Sequence, residues 1–234
     1  MMAKTFTKEL RFAIVLSLLP TATSLWGKAS GSRAEGAPGR ARLAISVYND
    51  VKVPSEVLSQ AELEAERVFQ SAGIEVVWLN CEVPAVSEEA SQACREAVFP
   101  KHLHLRIVRK SAGLKGETMG ISFQAHDGSG CYADLFYEPM EQLHKSDGTD
   151  IANLLGHVAA HEIGHLLLGR NSHAFAGIMH AHWTAEELAC AKAGKLVFSE
   201  EESRKMKEKL ATPMKTAEER RLTPANAISA RTRD

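Results

Sequence analysis

The 234-residue chain offers no apolar run of the roughly 20 residues that crossing a bilayer requires. Its N-terminal apolar stretch, residues 12–19, is too short for a stable span. Charge of one sign is also missing, since Lys and Arg total 28 against 29 Asp and Glu, for a net charge of -1. No cluster of basic residues is interleaved with aromatics, so nothing draws the chain to a phosphate backbone and no nucleic-acid partner is expected. Internal repeats and low-complexity tracts are not evident. Cysteine is scarce, at four residues. No cysteine near a Pro-Arg-rich switch precedes the first expected strand, so an inhibitory pro-segment of that kind is not expected. Aspartate does not occur between Asp150 and Asp234, which restricts the acids available to anything built there. With 44% hydrophobic residues, the chain has the composition of one ordinary globular domain with tails.

What is present is HEIGHLLLGRNSH at residues 161–173. It contains H-E-x-x-H inside a segment that reads as a continuous helix. Residues four apart on a helix share a face, so His161 and His165 can offer two imidazole nitrogens to one cation. Such a pair is half a site, because catalytic zinc takes three protein ligands and leaves the fourth position to water. Glu162, next to the first ligand, can reach the open side of the metal and move a proton from the attacking water to the leaving amine. Ile163, Leu166, Leu167 and Leu168 make the surrounding wall apolar. Burying two histidines and a glutamate there is costly unless something binds them.

The third ligand must come from later in the chain. Gly169 follows the apolar helix, where a left-handed residue would stop it and turn the chain back toward the metal. His173, four residues on, is the first choice. His180, His182, Glu186 and Glu187 are rivals, although Thr184 and Glu187 also read as a capping box. His157 extends the row of histidines along the helix face. Successive turns rise about 5.4 Å, so three stacked imidazoles cannot all reach one ion, and His157 reads as a packed or supporting residue.

The segment HEIGHLLLGRNSHAFAGIM resembles the metzincin clan of zinc peptidases, whose signature is H-E-x-x-H-x-x-G-x-x-H followed by a Met-turn. The resemblance implies His161, His165 and His173 as zinc ligands, Glu162 as the general base, Gly169 as the turn and Met179 as the floor beneath the metal. This chain departs from the pattern. Its glycine falls one position late and its third histidine two, so the helix runs about 100° further round before it turns.

Elsewhere, residues 42–48 alternate like a strand, 55–72 carry apolar residues at helical spacing up to Gly73, and 74–79 and 103–108 read as strands. Residues 119–124 and 131–137 are short strands flanking the turn-rich AHDGSG. Asp150 or Thr149 caps the motif helix. Helices are expected over 183–193 and over 199–210, the latter opened by a Ser199–Glu202 capping box. This order resembles the upper half of a metzincin-like domain. The fold implied is α+β and zincin-like: a small twisted mixed β-sheet backed by two long helices, with an active-site helix carrying HExxH and a small helical C-terminal lobe. In that family an antiparallel edge strand binds peptide by strand addition, and 119–124 is the candidate edge.

The expected organisation is a signal peptide or uncleaved N-terminal anchor at 1–28, a flexible linker at 29–40, a catalytic domain at 41–211 and a disordered tail at 212–234. Lys4, Lys8 and Arg11 before the apolar stretch give the N-terminus its export character. Four cysteines fit an oxidising compartment, with Cys81–Cys94 closing a small loop and Cys131–Cys190 as a second pair, although spacing alone does not fix connectivity. The expected function is an exported zinc metallopeptidase acting on a peptide or protein substrate. The alternatives are a zinc-binding scaffold without turnover, or a zinc hydrolase of a non-peptide amide such as a cell-wall component. The sequence is silent on oligomeric state.

Overall fold

The computed structural model describes residues 41–81, 88–96, 98–110 and 118–212. The expected signal peptide or anchor at 1–28, the expected linker at 29–40 and all but residue 212 of the expected tail lie outside the described residues.

Strand β1 (Ala41–Asn49) places Leu43, Ile45 and Val47 on one face, all but fully buried, by the two-residue period of a strand. Helix α1 (Ser55–Ser71) answers with Ala61, Ala65, Val68 and Phe69 on its inner stripe, and Gly73 at φ +76° turns the chain into β2 (Ile74–Asn80). A short helix α2 (Glu88–Arg95) precedes β3 (His102–Val108). Strands β4 (Gly120–Phe123) and β5 (Tyr132–Phe136) follow. The sheet order is β2-β1-β3-β5-β4. β1 pairs parallel with β2 and β3, and β3 parallel with β5, while β4 runs antiparallel to β5 on the edge. This is the mixed α+β sheet expected, and residues 119–124 do supply an antiparallel edge strand.

Helix α3 (Tyr137–Asp147) leads into α4 (Ile151–Leu168), whose N-cap is Asp150: its carboxylate accepts from the Asn153 N–H at 2.9 Å. Leu154, Leu155, Ile163, Leu166 and Leu167 of α4 join the same core as the inner faces of α1 and the sheet. Small residues let α1 and α4 approach closely. A Cβ on Gly156 would stand 2.5 Å from the Ala61 carbonyl oxygen. Helices α5 (Ala185–Lys192) and α6 (Glu200–Ala211) both open with complete capping boxes, Thr184–Glu187 and Ser199–Glu202.

The opposite sheet face carries Ser46, Tyr48, His102, His104 and Tyr132. The rings of His102 and His104 stack at 5.4 Å, and those of His104 and Tyr132 at 4.8 Å. Tyr48 donates to the Cys94 carbonyl at 2.5 Å, bringing α2 over this face. Cys94 is bonded to Cys81, the first expected pair. The second pair is corrected, because Cys131 and Cys190 are both free thiols. Cys131 lies at the entry to β5, where its carbonyl accepts from the His104 N–H, whereas Cys190 belongs to α5. Among the described residues no helix is long and apolar enough to cross a membrane.

Candidate metal centre

Helix α4 runs beneath the edge of the sheet, so its residues 161–165 face β4. His161 is almost buried and its Nδ1 lies 2.6 Å from the Ile178 carbonyl. A carbonyl only accepts, so Nδ1 carries the hydrogen and Nε2 keeps its lone pair for the cleft. The Nδ1 of His165 lies 2.7 Å from the Ser172 hydroxyl, which can accept in the same way. The two Nε2 atoms are 3.0 Å apart.

After α4 the chain turns at Gly169, with φ +91° and ψ −170°. The positive φ expected of this glycine is present, but its ψ is extended, outside the left-handed helical well. Asn171 at φ +57° supplies a further left-handed turn. This loop compensates for the extra residues between Gly169 and the third histidine, and brings His173 Nε2 within 3.1 Å of His165 Nε2. The ligand atoms of His161, His165 and His173 all lie within 4.8 Å of one another, the one such group among the described residues. His180, His182, Glu186 and Glu187 are not part of it. Nor is His157, which is fully buried with Nδ1 on the Asn153 carbonyl at 2.9 Å and Nε2 3.4 Å from Glu64.

Three imidazole nitrogens facing one another at such distances have no proton arrangement that satisfies them all, and a cation does. Burial lowers the His161 imidazole to about 4 and, with the neighbouring histidines adding to it, that of His165 to about 3. Both are therefore neutral at pH 7, as metal ligands must be. Three histidines with an open fourth position form a donor set that suits zinc.

Glu162 is buried beside this group. Desolvation raises its carboxyl to about 7, and the hydrogen bond from Ser122 opposes the shift. The Ser122 hydroxyl is 2.6 Å from Glu162 Oε2 and 2.7 Å from the Glu162 carbonyl, so its one proton serves one of them at a time. Gly120 allows the carboxylate to lie against β4. A Cβ there would fall 2.6 Å from both Cγ and Oε1 of Glu162. The Gln124 side-chain amide donates to the His165 carbonyl, fastening the other end of β4 to α4.

No protein-family model matches the chain, and no curated protein matches it in sequence. Solved structures do match in shape. A zinc-dependent peptidase from Methanocorpusculum labreanum aligns at a TM-score of 0.49 with 13% identity, over 69% of this chain and 99% of that one. An archaemetzincin from Methanopyrus kandleri aligns at 0.45 with 14% identity, over 75% and 99%.

Met179 is fully buried against α4, where a Cβ on Gly164 would meet its Sδ at 2.7 Å. The cleft lined by His161, Glu162, His165 and His173 has a volume of about 730 Å³. One wall is β4. Leu143, Val158 and Leu188 give the lining an apolar part, and Arg170, Asn171 and His173 add polar groups. Trp183 donates its indole N–H to the Ile178 carbonyl at 3.2 Å and sets its ring edge-on to His161 at 5.8 Å, so one carbonyl orients both side chains. Ser122, Gly120, Gln124 and Trp183 were not predicted from the sequence. Their residue types are common, and only the fold brings them within reach of residues about 20 to 40 positions away.

Proposed function

We propose that the protein is a zinc metallopeptidase, in which His161, His165 and His173 hold the metal and Glu162 is the general base. The observation that carries the reading is the convergence of three imidazole nitrogens beside a buried carboxyl that faces the same cleft. Bound there, zinc would lower the pKa of a water toward neutrality and polarise the scissile carbonyl. The rest falls to the chain. Ile178 and Ser172 hold two of the ligand rings in the tautomer that leaves Nε2 free. Glu162, held by Ser122 against Gly120, accepts the proton of the attacking water and passes it to the leaving nitrogen. An extended substrate lies antiparallel along the exposed edge of β4 and is held by main-chain hydrogen bonds. Met179 supports the ligand helix from below.

The Cys81–Cys94 disulfide favours an oxidising compartment, and export of the chain is part of the proposal. The test joins zinc content to cleavage of a quenched-peptide library, with Glu162→Ala as the control. One zinc per chain and cleavage that disappears in the variant are expected. Zinc without Glu162-dependent cleavage would replace this reading by a binding role or a non-peptide amide substrate.

A further inference from the structure

We propose that Arg170 is a specificity-determining residue, holding an acidic side chain of the peptide on the N-terminal side of the bond that is cut. The substrates of this site are then acidic peptides. The proposal rests on the peptidase reading above, but its evidence is the charge and placement of one wall of the cleft.

Arg170 lines the cleft together with His161, Glu162 and His165. Among the described lining residues it is the one Lys or Arg, as Glu162 is the one Asp or Glu. Arg42, Arg67, Arg106 and Arg204 each meet a carboxylate. The Arg170 side chain has no ion pair or hydrogen bond among the described residues. Its backbone, in contrast, is set. Arg170 stands between Gly169 at φ +91° and Asn171 at φ +57°, in the turn that delivers His173. The loop in which this chain departs from the metzincin spacing is thus the loop that puts an unpaired guanidinium on the cleft wall.

Its place relative to β4 gives the direction. The His165 carbonyl accepts from both the Gly169 N–H, at 2.9 Å, and the Gln124 side-chain amide. A Cβ on Gly128, in the turn beyond Gln124, would stand 4.0 Å from the Gly169 Cα. Arg170 therefore sits at the C-terminal end of β4, whereas Glu162 lies against Gly120 at the start of the strand. A peptide antiparallel to β4 lies with its earlier residues beside Gln124 and its later ones beside Gly120. The side chains nearest Arg170 thus precede the scissile bond. A guanidinium presents a planar fork of donors that the two oxygens of a carboxylate accept together. The one acid of the lining does not compete, since Glu162 is buried and held by Ser122. A lysyl or arginyl side chain in the same place meets like charge instead. A terminal carboxylate would reach Arg170 only from a peptide running the other way along β4.

The test uses full-length, zinc-loaded protein and quenched peptides built on one sequence that the wild type cleaves. Each position on either side of the cut is in turn Glu, Gln or Lys, in one set blocked at both ends and in a matched set with a free C-terminal carboxylate. At a position before the cut, kcat/KM should favour Glu over Gln by about 3- to 5-fold, the upper range for an exposed ion pair, and Gln over Lys. The difference should lie in KM, because the contact is made equally before and during reaction, and it should shrink at about 1 M salt. Arg170→Met should hold one zinc per chain and treat Glu and Gln alike, Arg170→Lys should keep part of the preference, and Arg170→Glu should turn it toward Lys. A wild type without an acidic preference before the cut would overturn the proposal, as would a preference retained in Arg170→Met or unreversed in Arg170→Glu. A preference confined to positions after the cut, or to peptides with a free C-terminus, would overturn it too, since the carboxylate would then come from the opposite direction along β4. A wild type that cleaves no peptide of an unbiased library would remove the peptidase reading and this proposal together, whereas Glu162-dependent cleavage without acidic preference would remove only this one.

Discussion

Glu162 and Gly120 meet at a distance that leaves no room for a methyl group. A Cβ on Gly120 would overlap the Glu162 carboxylate from 2.6 Å, although the Gly120 backbone does not have a positive φ. Gly120→Ala should therefore fold and bind metal while pushing the base out of line. Displacement of a reacting group by about 1 Å costs on the order of 10²-fold in rate. The expected outcome is a kcat lower by that factor with zinc content and circular dichroism unchanged; a variant with wild-type kcat would show that the Glu162 position seen here is not the productive one. At this scale the sequence is readable where chemistry is local. His161, Glu162 and His165 lie within five residues, so helical geometry alone puts them on one face. Gly120 and Ser122 reach Glu162 across some 40 positions, and no pattern in a strand of four residues announces that contact.

The elements follow their patterning closely. Alternation marks β1 through its buried Leu43, Ile45 and Val47, and spacing marks α1 through Ala61, Ala65 and Val68. Helix α3 leaves no such signal. Pro139 stands in its first turn and only Met140 is buried, so it has almost no apolar stripe to read. The expected Cys131–Cys190 pair fails because sequence spacing does not reveal that one cysteine enters β5 while the other rides on α5.

Two predictions belong to this scale. Gly156→Ala would drive a methyl into the Ala61 carbonyl at the α1–α4 crossing. That contact involves backbone, which cannot swing aside, so the variant should lose about 1–3 kcal/mol by overpacking. A urea midpoint within error of wild type would contradict the packing described. The second concerns α5. The Glu187 carboxyl is depressed in the folded state to about 2, chiefly by the Thr184 hydroxyl and then the Thr184 N–H. Its stabilisation is therefore fully present above the ordinary value of about 4.5 and is lost as pH falls toward 2. In chelator-treated protein, the stability gap between wild type and Glu187→Gln should be larger at pH 6 than at pH 3. A gap independent of pH would mean that the carboxylate charge does not hold the cap.

For the whole molecule, the sheet and α4 form a frame on which the loop 169–173 carries one ligand and Ile178 and Ser172 orient the other two. Metal binding should therefore stabilise the folded chain as a ligand does. At a free zinc concentration of 100 times Kd the gain is about 2.7 kcal/mol. For a domain of this size each kcal/mol moves the Tm by roughly 2–4 °C, so chelation should lower the Tm by about 5–11 °C, and zinc should restore it. His161→Ala should show no such shift, and a shift retained there would place the metal elsewhere.

The most direct test of the account is the zinc stoichiometry of His173→Ala beside the wild type, both purified and dialysed under the same conditions. His173 is the ligand whose spacing departs from the metzincin pattern, by two residues, and the loop with positive φ at Gly169 and Asn171 delivers it to the other two. The account predicts one zinc per wild-type chain and a large loss in the variant. Full zinc in His173→Ala would contradict the three-histidine centre and move the third ligand to His180, His182 or Glu186.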